Sequence, residues 1–98
     1  MLIRFHAAWN VADTELDKRT FADPGVVAEL GGFVAIRVDA TDDDAPGLAA
    51  AKKKYGIVGL PTLILFDGRG HEARRINEFI TAPNLRAFLN EVKGGPTG

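Results

Sequence analysis

Two short runs in this 98-residue chain, Met1–His6 and Thr62–Asp67, are apolar at consecutive positions instead of at alternate ones. Successive side chains of a strand point to opposite faces, so a strand of this kind is buried on both. Two of them require a sheet with helices packed on each side, and they belong at its centre.

The intervening signals supply the rest of the architecture. A helix is expected from about Asn10, with Val11, Leu16 and Phe21 loosely at helical spacing, and Asp23-Pro24-Gly25 should break it. Val26–Leu30 reads as one further turn closed by Gly31-Gly32. Phe33–Asp39 is rich in β-branched residues and reads as the second strand. Asp42, Asp43 and Asp44 offer N-caps to a helix ending at about Tyr55, with Gly56 as its stop. Asp67-Gly68-Arg69-Gly70 suits a hairpin turn into a fourth strand, Glu72–Asn77. Thr81 or a neighbour starts the last helix, where Leu85, Phe88, Leu89 and Val92 mark one buried face. The fold class is therefore α/β in the order βαβαββα. Its central four-stranded mixed sheet is flanked by helices, with a right-handed parallel crossover first and an antiparallel hairpin last. Residues 1–93 form one domain, and 94–98 read as a flexible tail.

The balance of residues excludes several functions. The net charge is −1, which does not suit a nucleic-acid binder. No apolar run approaches the roughly 20 residues of a membrane span, so membrane insertion by this domain is not expected. Met1-Leu2-Ile3 is cut short by Arg4 and lacks the apolar region of a signal peptide. The sequence as written therefore reads as cytoplasmic, or as a domain of a longer protein. With no cysteine, neither a disulfide nor a thiolate metal site is available.

Several local runs resemble one family. Ala8-Trp9, followed by Asn10 and Asp13 at a helix start, resembles the thioredoxin Trp-Cys-X-X-Cys turn. Gly59-Leu60-Pro61-Thr62 resembles the loop carrying that family's cis-proline, and Leu63–Gly68 resembles the strand and turn after it. Phe21-Ala22-Asp23-Pro24 and Val38-Asp39-Ala40-Thr41 look most like the C-terminal thioredoxin domain of DsbD-type thiol:disulfide interchange proteins. The resemblance implies the minimal thioredoxin fold, a cis Leu60-Pro61 bond, and a periplasmic site if the chain is a fragment of such a membrane protein.

The departures bear on the chemistry. Both cysteine positions are changed, to Asn10 and Asp13, and disulfide exchange needs a thiolate that neither can supply. Arg4 stands where such domains tend to hold a buried acid, and Asp17 matches a second acidic position. His6 and Ala8 replace positions that are usually aromatic and acidic. There is no catalytic residue left to name.

The replacements nevertheless suit a helix start. Asn is among the best N-caps, and an acid three residues later can reach back to the cap. Arg4 lies mid-strand among apolar residues, where an unpaired charge would be costly. Asp13 and Asp17 share a helix face and are its expected ion-pair partners; snorkelling to the sheet edge is the alternative. His6 with Asp13 falls short of the three or four ligands of a metal site, so no metal and no cofactor are expected. Asp42-Asp43-Asp44 lacks the ligand spacing of a calcium loop. Lys52-Lys53-Lys54, Arg69 and Arg74-Arg75 read as solvated faces.

Trp9, Gly59, Leu60 and Pro61 are the expected binding residues, bordering a shallow apolar groove. The partner would be a protein or extended peptide pairing with the backbone beside the proline, bound to a monomer. The expected function is a redox-inactive binding module. The alternatives are an oxidoreductase domain whose cysteines were lost or mutated, and a structural domain of a larger redox assembly.

Overall fold

The computed structural model describes residues 1–94. The chain runs through β1 (Leu2–His6), α1 (Val11–Glu15), α2 (Pro24–Leu30), β2 (Ala35–Asp39), α3 (Leu48–Tyr55), β3 (Thr62–Phe66), β4 (Glu72–Ile76) and α4 (Ala82–Gly94). Past Glu15 the first helix widens into a π-helical stretch, Leu16–Thr20, closed by the Phe21 N–H donating to the Leu16 carbonyl. The four strands form one sheet in the order β2-β1-β3-β4. β1 is parallel to β2 and antiparallel to β3, and β3 is antiparallel to β4.

The two doubly apolar runs are the two central strands. On one face Leu2, Leu63 and Leu65 pack with Leu16, Val26, Leu85 and Leu89, from the first, second and last helices. On the other, Ile3, Phe5 and Ile64 pack with Ile57, and Tyr55 of α3 closes over them. Alternation along β1 and β3 thus divides their side chains between two half-cores. β2 is an edge strand and mostly exposed, and it starts at Ala35, two residues later than the β-branched run suggests.

Two punctuation signals act differently from their first reading. Asp23-Pro24-Gly25 opens a helix as well as ending one: the Asp23 carboxylate accepts the Val26 N–H at 3.0 Å, and Pro24 occupies the first turn. Proline is tolerated there because its missing N–H would be unpaired anyway. Asp42, Asp43 and Asp44 cap nothing. Pro46 disfavours helical geometry at Ala45, Gly47 is left-handed at φ 80°, and α3 begins only at Leu48. Asp42 instead turns its carboxylate onto the Asp44 N–H. Gly56 stops α3 as expected, at φ 63°, a conformation that costs glycine little.

The hairpin turn is tied by one side chain, because the Asp67 carboxylate accepts the N–H groups of both Arg69 and His71. Those bonds hold the Asp67 carboxyl below the usual carboxylate range. The Thr81 hydroxyl and carbonyl take the N–H groups of Asn84 and Leu85 at the start of α4. α4 extends through Gly94, the first residue read as tail; residues 95–98 lie outside the described residues. Among the described residues no helix is long and apolar enough to cross a membrane.

Candidate functional site

The turn between β1 and α1 is the centre of the site. Asn10 has extended backbone geometry and caps α1, its side-chain oxygen accepting the Asp13 N–H at 3.0 Å. Its carboxamide nitrogen donates to the Leu60 carbonyl at 3.1 Å. One side chain therefore caps the helix and ties it to the loop before Pro61. The Leu60-Pro61 bond is cis, Pro61 is buried, Leu60 is half-buried and Gly59 is exposed.

Asp13 does not reach back to the cap. Its carboxylate turns inward, accepting the Ala7 N–H at 3.0 Å and facing Arg4 at 3.3 Å. Arg4 reaches it from mid-β1, which pulls the carboxylate away from the helix end. Arg4 and Asp13 are buried, 4% and 2% exposed. The second guanidinium nitrogen donates to Asp17 at 2.7 Å, and the group stacks on the Phe21 ring at 4.6 Å. The structure thus brings Arg4, Asp13 and Asp17 together, with Asp17 at the solvent side. Two carboxylates around one guanidinium are repelled less than two alone, and charge-assisted bonds fix the geometry. Among the described residues Arg4 Nε has no hydrogen-bond partner.

Removing the cap measures what Asn10 contributes. Asn10→Ala loses the N-cap bond and the tie to Leu60, an expected cost of about 1–2 kcal/mol. For a domain of this size that lowers the thermal midpoint by roughly 5–10 °C. Thermal melts of the two proteins decide it; unchanged midpoints would mean that the turn is held by other contacts.

Trp9 lies across the adjoining loop. Its indole N–H donates to the Thr41 carbonyl at 3.1 Å, and the Thr41 hydroxyl oxygen accepts the Ala8 N–H at 2.9 Å. Thr41 is itself held by the Asp39 carboxylate, whose pKa those bonds lower. The signal for Thr41 in the sequence is the Asp-X-Thr pattern at a strand end, where such side chains bond backbone two residues on. Trp9 stays 62% exposed. Val11, read as a helix-face residue, is 77% exposed, and Val58 is 95% exposed. Trp9 and Val11 are the chain neighbours of Asn10, and Val58 lies two residues before Leu60. Val58 and Val11 carried no signal in the sequence, since exposure of a β-branched residue follows only from the tertiary path.

His6 ends β1 half-buried, and burial first, then Arg37 and Arg4, lowers its pKa below the ordinary histidine value. Among the described residues no group of three or more His, Asp or Glu side chains is placed to hold a metal ion. A cavity of about 540 Å³ lies elsewhere, between β4 and the start of α4, beside Arg74, Phe79, Thr81 and Phe88. The arginines there are engaged: Arg74 pairs with Glu91 at 3.2 Å and Arg75 with Glu72 at 2.8 Å.

A sheet of this order, with a helix-capping turn facing a cis-proline loop, defines a thioredoxin-like domain, here without cysteine. Solved structures agree on the fold. The C-terminal domain of Neisseria meningitidis DsbD in its oxidised form superposes with a TM-score of 0.82 at 20% identity, covering 95% of this chain and 79% of that one. A thioredoxin from Thermus thermophilus gives 0.78 at 23% identity, covering 96% and 75%. In sequence the chain is related to thiol:disulfide interchange proteins of the DsbD type. It is 36% identical over 94 residues to that of Haemophilus ducreyi and 34% over 93 residues to that of Escherichia coli K12. Those matches cover 94% and 93% of this chain but 16% of each relative. No protein-family model matches.

Proposed function

We propose that the chain is a redox-inactive thioredoxin-like module that holds an extended segment of another protein beside Trp9 and the Leu60-Pro61 loop. The relatives are named for interchange of thiols and disulfides, a chemistry that requires a thiolate. Here the two positions are occupied by a helix cap and a buried carboxylate with its own partners. What remains outward is apolar surface, and the exposure of Trp9 and Val11 at the β1–α1 turn and of Val58 in the loop before Pro61, the two segments joined by the Asn10–Leu60 bond, is the observation that carries the reading. Clustered exposed apolar side chains favour association, whereas isolated ones are ordinary. The Leu60 carbonyl already takes the Asn10 carboxamide, so side-chain burial carries the binding ahead of strand pairing there.

Trp9 is the only tryptophan in the chain, which makes its fluorescence a direct readout. Reduced and alkylated insulin B chain titrated against the protein should shift that emission saturably, and Val58→Asp should abolish the shift. Insulin reduction by dithiothreitol should run at the rate of buffer alone. No saturable change would overturn the binding site, and reduction above buffer would overturn the loss of redox chemistry.

A further inference from the structure

The two edges of the sheet are unequally protected. The β3–β4 pairing has a register shift at Leu65/Phe66, and Arg75 on β4 is held by Glu72. Bulges and engaged charges of that kind discourage a further strand. β2 is regular, pairing in register with β1 over its whole length, and all its residues but half-buried Val38 are exposed. The ladder to β1 decides which of its backbone groups are free. The Val34 carbonyl accepts the Leu2 N–H and the Ala40 N–H donates to the His6 carbonyl, so the even-numbered residues of β2 face β1. Backbone groups alternate sides along a strand, so the N–H and C=O groups of Ala35, Arg37 and Asp39 point outward along the open edge. Arg37 and Asp39 carry opposite charges on one face of that edge. Arg37 makes no ion pair among the described residues. Both Thr41 bonds to Asp39 fall on Oδ1, which leaves Oδ2 for a partner.

We infer that β2 pairs with β2 of a second copy of this chain, antiparallel, about a two-fold axis at Val38. That axis sets Val38 against Val38, and Arg37 against Asp39 of the other copy on each side of it. Each Arg37–Asp39 pair exchanges two backbone hydrogen bonds and places a cation opposite an anion. An axis at Arg37 would oppose like charges. An axis at Ile36 would set Arg37 and Asp39 against Ala35 and Phe33, with no charge to meet. The charge pattern therefore picks one register, and it is self-complementary, as a two-fold contact must be. The product is a single eight-stranded sheet made of two four-stranded ones, and a dimer in place of the monomer expected from the sequence. It is independent of the peptide site proposed above.

Sedimentation equilibrium on the full chain should show a monomer–dimer equilibrium in the micromolar range, as suits a small interface. Arg37→Glu sets a glutamate against Asp39 twice, and Asp39→Lys sets a lysine against Arg37 twice. Each should weaken self-association at least about tenfold. An equimolar mixture of the two opposes Glu to Lys and Asp to Arg, and should form a heterodimer visible by native mass spectrometry. Circular dichroism checks that both variants fold, since Asp39 also holds Thr41. A second measurement avoids Asp39 altogether. The chain has no cysteine, so Val38→Cys puts one thiol from each copy on the axis, where a non-hydrogen-bonded pair has Cα atoms about 4.5 Å apart, within disulfide reach. Oxidised glutathione should join the two thiols and leave as two reduced molecules. Ile36→Cys should not cross-link, because its two copies lie well apart along the strands. A monomer throughout the micromolar range would overturn the proposal. So would a dimer indifferent to Arg37→Glu, folded variants that do not associate when mixed, or a cross-link through Ile36→Cys and not through Val38→Cys.

Discussion

Arg4→Met lowers the stability of the domain by about 3 kcal/mol, the expected result of stranding Asp13 as a buried carboxylate without its cation. The side chain is replaced by an apolar one of similar length, so packing against Phe21 is largely kept. What disappears is the bond to Asp17 at 2.7 Å, the contact with the Asp13 carboxylate at 3.3 Å and the bond to the Asp13 carbonyl at 3.2 Å. Asp17 is half exposed and regains water, so its share of the cost is small. Asp13 is 2% exposed and keeps only the Ala7 N–H and its place at the cap. The corresponding fall in thermal midpoint is on the order of 12–20 °C. Arg4→Met with Asp13→Asn should recover most of it, because the amide still accepts the Ala7 N–H and carries no charge. Urea denaturation of the four proteins gives the coupling energy. A cost for Arg4→Met below about 1 kcal/mol would show that the buried pair roughly cancels its own desolvation.

The physical reason the pair was legible in the sequence is narrow. A charged residue in the middle of a doubly apolar strand must find a partner, and two acids four residues apart on one helix face are an obvious pair of candidates. The sheet was legible for a similar reason, since consecutive apolar positions leave few places for β1 and β3 other than the centre. Failures came where one local signal competed with another. Asp42-Asp43-Asp44 looks like a cap, but Pro46 and Gly47 intervene and postpone the helix. Asp13 looks like the second half of a capping box, but Arg4 sits deeper and draws the carboxylate inward. The bond from Asn10 to the Leu60 carbonyl spans 50 positions, and no local pattern encodes it. The same holds for the exposure of Val58.

Restoring the thiols separates the scaffold from the chemistry. In Asn10→Cys with Asp13→Cys, a thiol at position 10 occupies the N-cap, where the N–H of residue 13 is already directed at the side chain. Unpaired N–H groups at a helix start stabilise a thiolate. Arg4 adds a cation beside the second position, its guanidinium 3.2 Å from the carbonyl oxygen of residue 13 and still bound to Asp17. Oxidised glutathione should convert the two new thiols to a disulfide, seen as the loss of two hydrogens by mass. Catalysed insulin reduction should then rise roughly tenfold or more above the buffer rate, because attack requires only an accessible thiolate and a resolving partner. The reduced variant should melt several degrees lower, since it loses the Asn10 cap and tie as well as the Asp13 carboxylate. Asn10→Cys alone has no resolving thiol within the chain and should not turn over. A double variant that folds by circular dichroism and forms its disulfide, yet reduces insulin no faster than buffer, would show that the scaffold itself has lost the capacity for exchange. Arg4, as the buried cation beside position 13, would then be the first residue to change to an acid.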